Sequence, residues 1–195
     1  MDTVYSLRWI PRAERTERLE RANRAEETAW LSAAKAGEQW ALERFYFDYQ
    51  SQVYALCYRL LARPEDARDA MQSTFVNAFR ELPRFRGSSN VKTWLYRIAV
   101  NEAITQLRKR RDSPELTEFT ACSVDSAPSV VERVAVQETM SRLKHDHRTI
   151  LVLRFWEGLE YEDIAGVLGI SLSAVKMRLH RAREEFRKRY EEDGL

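Results

Sequence analysis

The residues best suited to chemistry run from Tyr161 to Arg181: Tyr161-Glu162-Asp163-Ile164-Ala165-Gly166-Val167-Leu168-Gly169-Ile170-Ser171-Leu172-Ser173-Ala174-Val175-Lys176-Met177-Arg178-Leu179-His180-Arg181. A helix-turn-helix needs a small residue where its helices cross, a glycine at the turn and an apolar residue pinning the second helix. Ala165, Gly169 and Val175 meet those needs, with Ile164, Leu168, Ile170 and Leu179 as core. Ser171 is expected to cap the second helix, whose outward side then presents Ser173, Lys176, Met177, Arg178, His180 and Arg181. A helix of that kind lies in the major groove, where side chains read base edges and cations hold phosphates. Arg154 and Arg183 are the flanking phosphate candidates. Residues 176–189 hold seven basic side chains against Glu184 and Glu185, a local net charge of +5. The competing reading is an ordinary helical hairpin with a basic face.

A second basic cluster, Arg108-Lys109-Arg110-Arg111, ends a separate helix. One such run alone reads as a solvated face. Two on separate modules suit a partner with an extended anionic backbone, because each neutralised phosphate releases counterions.

The elements that must hold these clusters are helical. Only 6 Gly and 5 Pro in 195 residues leave too few turns for a sandwich or barrel, and the expected class is all-α. Apolar spacing at Leu42, Phe45, Tyr46, Tyr49, Val53, Leu56 and Leu60 predicts a helix over 42–60, with Pro64 marking the next boundary. The following helix carries Ala67, Met71, Phe75, Phe79 and Leu82 as far as Pro83. After the loop Arg84-Phe85-Arg86-Gly87-Ser88-Ser89-Asn90, Asn90 is expected to cap a helix running through Trp94, Leu95, Ile98, Ile104 and Leu107 into the basic run.

Residues 113–128 lack basic groups and helical periodicity and read as a flexible linker. Ser129-Val130-Val131-Glu132 is a capping box opening a helix to about Leu143. Three more short helices are expected after it, with breaks near His145–Asp146, Gly158 and Gly169. The organisation is thus a charged extension at 1–30, a helical domain at 31–112, the linker at 113–128 and a helix-turn-helix domain at 129–195. Their net charges differ: residues 1–30 are neutral, 31–112 carry +5, 113–130 carry −3 and 131–195 are neutral. Arginine at every third position from Arg12 to Arg24, with almost no apolar stripe, makes 12–29 an exposed helix or an arm.

Several functions drop out. No apolar run approaches the ~18 residues of a membrane span, and Met1 to Pro11 lacks a sustained apolar stretch, so a cytoplasmic protein is expected. Cys57, on the apolar stripe, and Cys122, in the linker, make neither a disulfide framework nor a zinc knuckle. His145 and His147 are two residues apart, which does not align two ligands on one helix face, and they read as the start of a helix. No Ser/His/Asp set, carboxylate pair or Gly-rich phosphate loop stands out, so neither enzymatic activity nor a cofactor or metal is expected.

Four separated stretches resemble the bacterial extracytoplasmic-function (ECF) sigma factors of the sigma-70 family: Asp66 to Phe75, Phe85-Arg86-Gly87 with Lys92 to Asn101, Gly158 to Ala165, and Val175 to Arg183. The resemblance covers about residues 35–190 in the family's order. It implies that the first domain binds core RNA polymerase and opens the minus-ten promoter element, and that the second reads the minus-thirty-five element. Carried over by position, polymerase contacts fall on Asp66, Asp69, Gln72 and Ser73. Minus-ten contacts fall on Arg84, Phe85, Arg86, Ser88, Ser89, Asn90, Lys92, Trp94, Arg97, Arg108, Lys109, Arg110 and Arg111. Minus-thirty-five contacts fall on Arg154, Ser171, Ser173, Lys176, Met177, Arg178, His180, Arg181 and Arg183. Arg68 and Ser73 stand where members often carry acidic residues, and Met177 where a serine is frequent.

Within this reading the loop Arg84 to Asn90 has the groups to capture an unstacked base: Phe85 to brace or stack, Arg84 and Arg86 for phosphate, and Ser88, Ser89 and Asn90 for a base edge. Its alternative is a plain helix connection. The resemblance implies core polymerase and promoter DNA as partners, and an anti-sigma protein as a further partner class. Two rivals are a dimeric helix-turn-helix regulator on a palindromic operator and a helical scaffold.

Overall fold

The computed structural model describes residues 29–87, 89–112 and 130–192. The expectations for residues 12–28, Ser88, the linker, Cys122 and the Ser129 cap lie outside them. The described elements are α1 (29–35), α2 (Gln39–Leu61), α3 (Pro64–Glu81), α4 (Val91–Asp112), α5 (Val130–Arg142), α6 (His145–Leu151), a π turn (Val152–Trp156), α7 (Tyr161–Leu168) and α8 (Leu172–Glu192).

The apolar spacing in α2 buries Phe45, Val53, Leu56 and Leu60 completely. The helix stops at Ala62, a left-handed residue at φ 58° whose N–H donates to the Tyr58 carbonyl at 2.8 Å. Pro64 then opens α3, where its missing N–H leaves no gap because that donor has no helical acceptor. A 3-10 turn at Leu82–Arg84 closes α3. Asn90 caps α4 as expected: its Oδ1 accepts the Thr93 N–H at 2.6 Å.

The first domain has an aromatic centre. The Phe45 ring lies 5.3–6.5 Å from the rings of Trp30, Tyr49, Phe75, Phe79 and Trp94, in tilted and edge-on arrangements. Cys57 is buried beside them. Burial, with the Glu102 charge adding to it, pushes its thiol up to about 12, which leaves it unreactive.

The second domain is aliphatic, burying Ile150, Leu153, Ile164, Val167, Val175, Leu179 and Ala182. His145 begins α6 as expected. One expectation is corrected: the last helix is not short but spans 21 residues. No Gly or Pro interrupts it after Gly169, and pairs at helical spacing, Glu184–Arg187, Glu185–Arg189 and Lys188–Glu192, line its far half.

The two domains meet. Helix α4 packs against α2, α3 and α7, and α2 also touches α6 and the π turn. Polar bonds cross the seam. Arg59 pairs with Glu157 at 2.9 Å, the Tyr96 hydroxyl donates to the other oxygen of Glu157 at 2.6 Å, and the Thr93 hydroxyl donates to Asp163 at 3.0 Å. Burial and the hydrogen bond to the Glu157 carboxylate push the Tyr96 phenol above its ordinary pKa, so it stays a donor. Arg148 gives its guanidinium to three backbone carbonyls: Met140 at 2.8 Å, Ser141, and Leu60 across the seam at 3.0 Å.

Candidate nucleic-acid interface

The turn that aims α8 is built by two small devices. Gly169 ends α7 in the left-handed region at φ 64°, where a side chain would be strained, and Ile170 returns its N–H to the Ala165 carbonyl at 3.2 Å. The Ser171 hydroxyl then accepts the Ala174 N–H at 3.2 Å, capping the second helix. Val175, Leu179 and Ala182 fall on one stripe and are buried. Helical geometry turns the other sides outward. Ser173, Lys176, Met177, His180, Arg181 and Arg183 are exposed, and Met177 keeps 53% of its surface. Among the described residues, Lys176, His180 and Arg181 make no ion pair. Arg178 is half-buried, 3.7 Å from Asp146. The Arg183 guanidinium lies 5.3 Å from the centre of the Phe155 ring.

Arg154 has a different employment. It donates to the Leu159 carbonyl at 2.8 Å, pairs with Glu160 at 3.1 Å and lies 5.1 Å over the Tyr161 ring. The side chain closes the turn before α7. Behind α8, burial pushes the Glu185 carboxyl up, but hydrogen bonds from His147 and Arg189 outweigh it and hold its pKa below 4.5.

In the first domain, Asp69 and Gln72 are exposed on one face of α3, with Ser73 half-buried beside them. Val76, the next position of that face, is 57% exposed. Asp66 is half-buried, 4.0 Å from both Arg63 and Arg110, so part of the basic run folds back onto α3.

The loop after α3 splits into inward and outward groups. Arg84 and Arg86 are exposed, and Gly87 takes φ 72°. Phe85 is only 8% exposed, 4.9 Å from the Trp94 ring with the Lys35 amine 5.3 Å from its centre. It braces the loop from within. Trp94 is half-buried between Phe85 and Phe45. Ser89 is half-buried, and the Asn90 side chain is engaged in the cap.

On α4, Arg97, Arg108 and Lys109 are exposed, Lys92 holds its amine 5.2 Å from the centre of the Tyr96 ring, and Arg110 is half-buried. The Arg111 side chain lies outside the described residues. The seam groups Arg59, Arg148, Glu157 and Asp163 belong to no motif or spacing that marks them as partners in the sequence. One signal was present: Arg59 interrupts the apolar run Cys57-Tyr58-Arg59-Leu60-Leu61, and a cation inside such a run needs a partner.

Comparison with known proteins gives the family. The model of Sigma-70 region 2 matches residues 45–113, and that of Sigma-70, region 4 matches residues 133–186. The RNA polymerase sigma-H factor of Pseudomonas aeruginosa is 35% identical over 170 residues, covering 79% of this chain and 88% of the relative. The ECF RNA polymerase sigma factor SigW of Bacillus subtilis is 30% identical over 174 residues, covering 81% and 93%. Among solved structures, CnrH in complex with the cytosolic domain of CnrY aligns at a TM-score of 0.66 and 25% identity, covering 85% of this chain and 97% of CnrH. The sigma factor RpoE of Bartonella quintana, in complex with the anti-sigma factor NepR, shares the fold at a TM-score of 0.65 and 24% identity, covering 76% and 96%. With both regions present in order and relatives aligned over most of their length, the chain belongs to the sigma-70 family as an ECF sigma factor.

Proposed function

We propose that this chain binds core RNA polymerase and directs it to a small set of promoters, reading the minus-thirty-five element with α8 and opening the minus-ten element with the first domain. The carrying observation is that regions 2 and 4 stand in order on one chain while α8 turns Lys176, Met177, His180 and Arg181 outward. The protein binds, positions and separates strands, and the nucleotidyl chemistry belongs to the polymerase. Its place of action is the cytoplasm.

In this reading Asp69 and Gln72, flanked by Asp66 and Ser73, face the polymerase. Arg84, Arg86, Lys92, Arg97, Arg108, Lys109, Arg110 and Arg111 hold the minus-ten strand. Ser88 and Ser89 offer groups to a base, with Asn90 fixing the start of α4 behind them, while Phe85 and Trp94 keep the loop rigid from beneath. Ser171 and Ser173 set the start of the recognition helix. Lys176, Met177, His180 and Arg181 meet base edges and the backbone, Arg178 and Arg183 meet phosphates, and Arg154 supports the helix pair. An apolar Met177 contacts a thymine methyl group better than it accepts a hydrogen bond. The complex of RpoE with the anti-sigma factor NepR, beside that of CnrH with the cytosolic domain of CnrY, supports an anti-sigma protein as a further partner of this chain.

Run-off transcription with purified core polymerase on a promoter-fragment library tests the whole reading. Promoter-dependent transcripts are expected. Duplex binding that core polymerase leaves unchanged, with no transcript, would instead fit an operator-binding regulator.

A further inference from the structure

A cavity of about 380 Å³ lies between the last turns of α4 and the corner where α5 passes into α6. Leu107 and Arg110, three residues apart on α4, form one wall. Leu143, Lys144 and His145 form the corner, and Arg148 follows on α6. Three fixed cations and a histidine thus share one concavity with two leucines, and no carboxylate among the described residues lines it. Of the acids nearby, Asp146 is turned to Arg178 at 3.7 Å, and Asp66 stands 4.0 Å from Arg110, at the limit of an ion pair.

The deepest cation is held stiffly. Arg148 gives three of its five N–H groups to the carbonyls of Met140, Ser141 and Leu60, and two remain for an acceptor in the cavity. Burial, and then the Arg110 charge, push its pKa below the ordinary value, so like charges repel one another across this space. A concavity of one sign focuses the field and gathers anions. Its volume falls within the range of small-ligand sites, about 300–1,000 Å³. Cations on two facing walls suit an anion charged at more than one centre, and Leu107 and Leu143 suit an apolar body beside it.

We propose that this cavity binds a compact polyphosphate anion, with a nucleoside diphosphate as its best-fitting form. Arg110, Lys144 and Arg148 hold the phosphate oxygens, and Leu107 and Leu143 flank the base or sugar. The bound anion replaces repulsion between α4 and α6 by attraction and so stabilises the chain. The site stands apart from the promoter reading, in which Lys144 and Arg148 take no part.

Isothermal titration of the full chain with sodium pyrophosphate, and separately with adenosine or guanosine diphosphate, tests it in phosphate-free buffer at physiological ionic strength. One site per chain and a raised Tm are expected. Tighter binding of the diphosphates than of pyrophosphate supports a nucleotide as the source, and equal binding supports inorganic pyrophosphate. Lys144→Ala should weaken binding roughly tenfold, and Arg110→Ala added to it roughly a hundredfold, since each removes a charge-assisted bond. Arg148 is left unaltered because its carbonyl bonds hold the fold. Arg187→Ala with Lys188→Ala removes equal charge from α8, outside the cavity, and should leave binding unchanged.

No binding of any of these probes overturns the proposal, as does equal weakening by the two pairs of substitutions, which would show diffuse attraction only. Binding of a poly-thymidine strand alone, dependent on Lys144, would overturn it too and give the cavity to a DNA backbone.

Discussion

Helices α4 and α8 both carry basic clusters, yet they are built on opposite plans. In α4 most of the first half is enclosed: Val91, Thr93, Leu95, Tyr96, Ile98, Ala99, Val100 and Ala103 are all buried, in contact with α2, α3 and α7. In α8 only Val175, Leu179 and Ala182 are buried, on a single stripe. A helix held by one stripe presents most of its surface at once, whereas a helix enclosed by several neighbours presents a new face only when a neighbour leaves. The first arrangement suits a reader of intact duplex. The second suits a surface whose use follows a change of state.

The contrast is most exposed to failure at the aromatic centre beneath α4. Phe45→Ala removes a ring that faces five others and should cost about 3–5 kcal/mol, read by urea denaturation followed by circular dichroism. A loss under about 1 kcal/mol would show that α4 is not anchored there.

On the open side, Arg181→Ala should leave stability unchanged. It should either cost roughly 1–3 kcal/mol at one minus-thirty-five position or lower the salt slope of duplex binding by about one unit. If neither the preference nor the slope changes, α8 does not read DNA in this orientation. A smaller effect sharpens the boundary of α4: Asn90→Ala removes its cap and should cost about 1 kcal/mol in thermal unfolding, with duplex binding unaffected.

The smallest effect concerns the support behind α8. Glu185 has a lowered pKa in the folded chain, so its contribution is present at neutral pH and is lost as pH falls below 4.5 through the folded value. Glu185→Gln should therefore narrow the stability difference between neutral and acid solution. An unchanged acid profile would show that its bonds to His147 and Arg189 do not hold in solution.

Legibility in the sequence follows the same contrast. The outward set on α8 was readable because helical spacing assigns each residue a direction once Val175 and Leu179 are placed inside. The candidates on α3 came through the family resemblance, and the structure sets Asp69 and Gln72 across the helix from the buried Ala67 and Thr74. The loop Arg84 to Asn90 has no period, so composition named Phe85 and Asn90 as candidates without revealing that one faces the interior and the other is engaged in a cap. Arg154 looked like a free cation because its acceptor, the Leu159 carbonyl, becomes available only when the chain turns at Gly158. The seam was the least legible. Its bonds join residues 61 to 98 positions apart, and no local pattern encodes such a pairing.

The π turn gives that seam an unusual sensitivity to chain length. Across Val152–Trp156 the N–H of Glu157 reaches back five residues to the Val152 carbonyl, at 3.1 Å, so the helix carries one residue more than an α turn would hold. Deleting a single residue there would close the wide turn to an ordinary one, and the Glu157 carboxylate would no longer be carried to Arg59 and Tyr96 by that turn. One insertion or deletion in this turn is thus a mutational step that resets the grip between the domains while sparing every residue of α8.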